Sequence, residues 1–142
     1  MSDRIIPRPE NCTLVTTDKV RYRDTDRQGH VNNAVFSSFL ETGRVELLYD
    51  PQSPLAEPGG SFVIANILLE FHREITWPGE IRIGTRVTRV GRSSIGLEQG
   101  LFQADVCVAR AETVIVHTND ATRASMPIGE RAVERLSGLI KR

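Results

Sequence analysis

The spacing of the apolar residues changes once along this chain, from the period of a helix to that of a β-strand, and this change limits the folds that the chain can adopt. Residues 34–49 carry apolar side chains at helical spacing, in a wide stripe that includes Phe36, Leu40 and Gly43. A loop rich in proline and glycine follows at residues 50–60, and beyond it the apolar residues alternate as they do in β-strands. Because the helix and the strands must each cover an apolar face, the sequence predicts a buried helix packed against a sheet.

The strand pattern predicts an α+β fold in which a curved antiparallel sheet wraps around a long central helix. A first strand is expected over residues 13–22, before the helix. Period-2 alternation after the loop predicts four consecutive antiparallel strands, in residues 65–75, 81–88, 95–101 and 112–123. Residues 1–12 are predicted to be a loose N-terminal arm, and residues 128–142 to form a short C-terminal helix.

Length and composition exclude several classes of protein. A chain of 142 residues is expected to form a single domain over 1–142. Lys and Arg balance Asp and Glu at 18 each, which argues against a nucleic-acid partner. Cys12 and Cys107 are far apart and have no Cys/His cluster around them, so no metal is expected. The chain lacks a long apolar run and its N-terminus does not resemble a signal peptide, so we expect a cytoplasmic protein without membrane contact.

The residues best suited to chemistry lie between the first strand and the helix. Asp24 and Asp26 occupy a turn-rich loop, and Asn32 or Asn33 is a natural N-cap for the helix that follows. The amides of a first helical turn have no partner within the helix and can polarise a carbonyl oxygen. A carboxylate a few residues upstream can then attack that carbonyl carbon or activate water. The spacing alone is also compatible with two aspartates that only order the loop.

The motif in Val20–Arg44 resembles the signature of the hotdog-fold thioesterases, in particular the 4-hydroxybenzoyl-CoA thioesterase-like group. The matching positions are Tyr22, Asp24-Thr25-Asp26, Gly29, His30-Val31-Asn32-Asn33, Phe36, Phe39 and Glu41-Thr42-Gly43-Arg44. The similarity continues through Phe71–Ile75, Pro78–Ile81 and Gly91–Ser94, so it covers residues 14–125. The resemblance implies the hotdog fold and an acyl-CoA thioesterase that hydrolyses a thioester to a free acid and coenzyme A.

The resemblance also implies roles for individual residues. Asp26 takes the position of the catalytic carboxylate, as nucleophile or general base, and the backbone amide of Asn33 polarises the thioester carbonyl. His30 and Asn32 correspond to residues that assist catalysis in related acyl-carrier-protein thioesterases, although His30 can equally shape the loop alone. Gly29 lets the loop pass close to substrate. Glu41 and Glu46 lie on the helix, where another hotdog group places its acid, but the Asp-x-Asp loop disfavours that alternative.

Arginines are candidates for binding the nucleotide end of coenzyme A. Arg89, Arg92, Ser93 and Ser94 lie in or beside a predicted hairpin, where forked donors and hydroxyls suit phosphates, although a solvated turn explains them equally well. No cofactor is expected, since coenzyme A is part of the substrate. Two alternatives stay open: an acyl-carrier-protein thioesterase, and a non-catalytic acyl-binding hotdog protein. Because a single curved sheet leaves its edges unpaired, a homodimer or homotetramer is expected.

Overall fold

A computed structural model describes residues 8–12 and 14–140, and its helices and strands follow the predicted order. The elements are β1 (Leu14–Lys19), α1 (Asn33–Leu48), β2 (Gly60–Phe71), β3 (Glu80–Val90), β4 (Ser94–Gln103), β5 (Val106–Asn119) and α2 (Glu130–Gly138). The five strands form one antiparallel sheet, and α1 packs against it. The predicted fold class is therefore confirmed.

The order of strands in the sheet differs from the prediction of four consecutive neighbours. The sheet runs β1-β3-β4-β5-β2, so β2 pairs with β5 and not with β3. The connection between β2 and β3 also bonds to the loop before α1, where the Val31 amide donates to the Ile75 carbonyl and His30 bridges Thr76. These contacts join distant parts of the chain, which is why alternation alone did not reveal them.

Helix α1 lies against the sheet at close range, as the apolar stripe predicted. Phe36, Phe39 and Leu40 are almost completely buried. Gly43 permits the close approach, because a Cβ atom there would lie 2.7 Å from Ile83 Cγ2 and 2.8 Å from Gln99 Nε2. The side-chain amide of Gln99 donates to the Leu40 carbonyl at 3.0 Å, so a buried hydrogen bond also ties the helix to β4. The helix is thereby fixed in position along its length.

Several element boundaries differ from the predicted ones. The fifth strand begins at Val106 and not at residue 112. Its first four residues, 106–109, are apolar on both faces and a bulge interrupts their pairing with β4, so the alternation used for prediction is lost there. The C-terminal helix covers only Glu130–Gly138 within the predicted 128–142, and the N-terminal arm contains a short 3-10 turn at Pro9–Asn11. Residues 1–7, 13, 141 and 142 lie outside the described part.

The two outer strands of the sheet have different surfaces. At the β2 edge, large apolar side chains between 41% and 50% exposed occur on both faces of the strand: Val63, Ile64, Ile67, Leu68 and Phe71. At the β1 edge, Val15 is the corresponding exposed apolar residue. Exposed apolar strands with a free edge are typical of surfaces that pair with another chain. None of the described helices is long and apolar enough to cross a membrane.

Candidate active site

The loop between β1 and α1 is organised by its first aspartate. Asp24 is buried, and its Oδ2 accepts a hydrogen bond from the Arg21 amide at 2.8 Å. Its backbone carbonyl accepts the Asn32 amide at 2.9 Å, which closes the loop at the point where the helix begins. These contacts tie Asp24 to the backbone at both ends of the loop, so Asp24 orders the loop.

Asp26 forms a tight turn that leaves part of its carboxylate open. Its amide donates to the His30 carbonyl at 2.7 Å, while its Oδ1 accepts the amides of Gln28 at 2.9 Å and His30 at 3.3 Å. Gly29 has φ +83°, a value that side chains disfavour, and so allows the chain to turn back. The second carboxylate oxygen accepts no hydrogen bond from a described residue. Asp26 therefore presents an exposed oxygen at a fixed position.

The start of α1 supplies a hydrogen-bond donor beside this carboxylate. Asn32 is the N-cap, since its Oδ1 accepts the Ala34 amide at 2.9 Å. Asn33 is the first residue of the helix, and its amide donates to no described residue. An unpaired amide at the positive end of a sixteen-residue helix favours a developing negative charge.

Asp26, His30 and Asn33 line the same cavity, which has a volume of about 380 Å³. Its apolar wall is formed by Phe36 of α1 and Phe71 of β2, whose rings meet edge to face at 5.0 Å. The remaining lining residues are Gln28, Val31, His72, Arg73 and Glu74. The loop, the helix start and the end of β2 thus enclose one site with a polar and an apolar side, which suits a carbonyl group attached to an acyl chain.

Glu74 is the member of this site that the sequence did not reveal. Its Oε2 lies 3.0 Å from His30 Nε2, although the two residues are 44 positions apart in the chain. The β-bridge between His30 and Thr76 produces this proximity. Local spacing contains no signal for such a contact, because it depends on how the β2–β3 connection crosses the loop.

The predicted nucleotide-binding residues lie at the other end of the sheet. Arg89 and Ser94 flank the β3–β4 turn, where Arg89 Nη1 donates to Ser94 Oγ at 3.2 Å. The Asp26 loop is next to the opposite end of β3, since Glu80 pairs with Lys19 at the end of β1. Eleven residues of extended strand correspond to roughly 30 Å. Arg89, Arg92, Ser93 and Ser94 are therefore remote from Asp26 of their own chain.

The comparisons with known proteins identify the family of this chain. The family model of the thioesterase-like superfamily matches residues 20–136, which include the whole loop, α1 and the sheet after β1. The chain belongs to the thioesterase-like superfamily. The superfamily match contains every predicted site residue, from Asp26 to Ser94.

Solved structures place this superfamily member among hotdog-fold proteins. A thioesterase from Thermus thermophilus, solved in complex with coenzyme A and Zn, is 28% identical with a TM-score of 0.77, covering 88% of this chain and 98% of that one. A predicted thioesterase from Bacillus stearothermophilus is 23% identical with a TM-score of 0.81, covering 91% and 97%. The PA5185 protein of Pseudomonas aeruginosa is 23% identical with a TM-score of 0.83, covering 96% and 98%.

Metal-binding side chains do not cluster in the part of this thioesterase-superfamily chain that the structure describes. No group of three or more His, Cys, Asp or Glu residues there has an arrangement that could hold a metal ion. Within the cavity, His30 instead pairs with Glu74, and Asp26 accepts hydrogen bonds from backbone amides.

Proposed function

We propose that this protein hydrolyses acyl-CoA thioesters in the cavity around Asp26. The observation that carries the proposal is the position of two groups on one cavity wall: the exposed oxygen of Asp26 and the unpaired amide of Asn33. One group can act on a carbonyl carbon, and the other can stabilise the negative charge that develops on the carbonyl oxygen. The Thermus thermophilus neighbour, which was solved with coenzyme A, supports a CoA-type substrate.

The reaction follows from these positions. The thioester oxygen accepts the Asn33 amide, and the helix dipole adds to the polarisation. Asp26 either attacks the carbonyl carbon itself or removes a proton from the attacking water. If Asp26 attacks, the C–S bond breaks, coenzyme A leaves as a thiolate, and water then cleaves the acyl–Asp26 anhydride to the free acid and the Asp26 carboxylate. If Asp26 instead activates water, the water oxygen bonds to the carbonyl carbon as the C–S bond breaks. On both routes the acid keeps one proton of water, and the other neutralises the thiolate to give coenzyme A. Asn32 contributes by capping the helix, and Gly29 by shaping the loop.

The proposed enzyme is a homodimer formed through β2. Its apolar side chains are exposed on both faces of the strand, and in the described part of the chain β2 pairs only with β5. Two copies related by a two-fold axis would pair their β2 strands in an antiparallel direction. The partner's apolar residues would then cover Phe71, which belongs to the cavity wall. Dimerisation would therefore complete the site.

The same pairing would place the β3–β4 hairpin of one chain, which carries Arg89 and Arg92, near the active site of the other. Ser94 pairs with Val116, which pairs with Val63, so the hairpin lies at the Gly60 end of the molecule. Antiparallel pairing of two β2 strands brings that end of one chain beside the Phe71 end of the other. Arg89, Arg92, Ser93 and Ser94 would then bind the nucleotide end of coenzyme A in the partner's site.

A panel of thioesters tests the proposed reaction. Acyl-CoA substrates of different chain lengths and aryl groups are assayed for release of free thiol, alongside the same acyl groups on acyl-carrier protein. We expect turnover of at least one acyl-CoA that exceeds turnover of its carrier-protein counterpart. Faster hydrolysis of the carrier-protein thioester would overturn the CoA assignment. Tight binding of acyl-CoA without thiol release would overturn hydrolysis itself.

A matched pair of surface substitutions tests the dimer. Ile67→Lys places a charge on the β2 edge, whereas Val15→Lys places the same charge on the β1 edge at similar exposure. Sedimentation should show a monomer with little activity for Ile67→Lys, and an active dimer for Val15→Lys. A wild-type protein that is a fully active monomer would contradict the proposed assembly.

Mixed dimers test the position of the hairpin. When Asp26→Asn chains are mixed with Arg92→Ala chains, one site of each mixed dimer combines an intact Asp26 with an intact partner hairpin. Activity at low acyl-CoA concentration should therefore rise above that of either variant alone. If each hairpin served its own chain, mixing would restore nothing.

A further inference from the structure

Glu74 and His30 form a pair on the wall of the Asp26 cavity. His30 Nε2 lies 3.0 Å from Glu74 Oε2, and both residues line the cavity together with Asp26 and Asn33. Neither residue is deeply buried, since the His30 side chain is 35% exposed and that of Glu74 is 67% exposed. Their position, rather than burial, suggests a role in the reaction.

The backbone around this pair is firmly held. His30 bridges Thr76, and the next residue, Val31, donates its amide to the Ile75 carbonyl at 2.9 Å. The His30 amide and carbonyl are both bonded to Asp26. One network therefore fixes the Asp26 turn, the His30 backbone and the segment that carries Glu74 relative to each other.

The carboxylate determines which nitrogen of His30 is available. A neutral imidazole has one protonated nitrogen, which donates, and one lone-pair nitrogen, which accepts. Glu74 can only accept when ionised, so the proton lies on Nε2 and Nδ1 keeps the lone pair. Nδ1 has no partner among the described residues. The pair thus offers a free proton acceptor in the cavity that also contains the Asp26 carboxylate.

We propose that Glu74 is a positioning residue that holds His30 as the proton carrier of the hydrolysis, an inference that rests on the proposed thioesterase function. Asp26 attacks the carbonyl carbon, the C–S bond breaks, and coenzyme A leaves as a thiolate. Water then adds to the acyl carbon and gives a proton to His30 Nδ1, while the bond from that carbon to Asp26 breaks. The imidazolium then loses this proton to solvent, which balances the proton that the departed thiolate takes from solvent, so the products are the free acid and coenzyme A.

The variant Glu74→Gln tests the inference against a matched control. Gln keeps the size of the side chain but can turn its amide group toward Nε2, and so no longer fixes the proton there. Glu80→Gln removes another exposed acid of the same segment, for which no ion pair is present among the described residues. We expect kcat of Glu74→Gln to fall about 10-fold or more with KM within about twofold, and Glu80→Gln to match wild type.

Two further measurements distinguish positioning from a structural role. In a His30→Gln background, Glu74→Gln should have no additional effect on kcat, because its action passes through His30. Rapid mixing of His30→Gln with substrate should release one thiol per site in a burst, since only the second half of the reaction is slowed.

Each contrary result has a defined meaning. Wild-type kcat in Glu74→Gln, an equal loss in Glu80→Gln, or additive losses in the double variant would overturn the role of Glu74 while leaving the thioesterase function intact. If His30→Gln has a lower kcat but shows no burst of thiol release, the assignment of His30 to the second half-reaction would be overturned. A wild-type protein that hydrolyses no thioester would overturn the proposed function and this inference with it.

Discussion

Substitution of Gly43 by alanine tests how tightly α1 is held against the sheet. The new Cβ atom would lie 2.7 Å from Ile83 Cγ2, 2.8 Å from Gln99 Nε2 and 2.9 Å from Thr85 Oγ1. To reach ordinary contact near 3.4 Å, the helix or these side chains must move by about 0.7 Å. Two of the three neighbours share a buried hydrogen bond, so their movement also strains polar contacts.

The expected loss of stability in Gly43→Ala is the difference between two opposing effects. Overpacking a core typically costs about 1–3 kcal/mol, and straining the buried Gln99 amide adds to it. Alanine regains about 1 kcal/mol over glycine inside a helix. We therefore expect Gly43→Ala to lower the free energy of unfolding by about 2 kcal/mol, measured by urea denaturation. Turnover should fall as well, because a shifted helix misplaces the Asn33 amide.

Gly138→Ala is the matched control. Gly138 is the last residue of α2, and a Cβ atom there would meet nothing within 4 Å. Gly138→Ala should leave the free energy of unfolding unchanged or raise it slightly, since only the helix propensity changes. If Gly43→Ala were as stable as Gly138→Ala, the close packing of α1 would be refuted as a constraint on the fold.

Two further predictions concern buried groups. Burial raises the pKa of the Cys107 thiol above its ordinary value, although a backbone hydrogen bond at Ala109 and the charge of Arg110 lower it in part, so at pH 8 the thiolate fraction is small. In a Cys12→Ser background, iodoacetamide should therefore alkylate Cys107 more slowly in the folded protein than in urea, and equal rates would contradict this. His117 is fully buried, accepts the Glu57 amide at Nε2 and donates to the Pro127 carbonyl from Nδ1. In urea denaturation, His117→Ala should lower the free energy of unfolding by about 2–4 kcal/mol. His72→Ala, at the exposed end of β2, should lower it by less than about 1 kcal/mol. Similar losses in both variants would refute the structural role of His117.

Local features of this protein were predictable because their causes are local. The apolar stripe of α1 and its N-cap, which was expected at Asn32 or Asn33 and lies at Asn32, depend on residues within a few turns of helix. The turn-rich composition of residues 23–30 likewise predicted a loop around Asp26.

Long-range features were not predictable in the same way. Alternation shows that β2 is a strand but contains no information about its partner, so the pairing with β5 was missed. Glu74 reaches His30 through the Thr76 bridge, and nothing in either sequence segment indicates that the two side chains meet. The distance of the Arg89 and Ser94 hairpin from Asp26 likewise depends on the sheet register.

The turnover of Asp26→Asn compared with Asp24→Asn tests the central claim most directly. Asn keeps the size of Asp26 and its hydrogen bonds from the Gln28 and His30 amides, but it removes the charge and the basicity. The account predicts that kcat for acyl-CoA falls at least about 10²-fold with substrate binding nearly unchanged, while Asp24→Asn lowers stability more than chemistry. Near-normal kcat in correctly folded Asp26→Asn, or a larger loss of chemistry in Asp24→Asn, would contradict it.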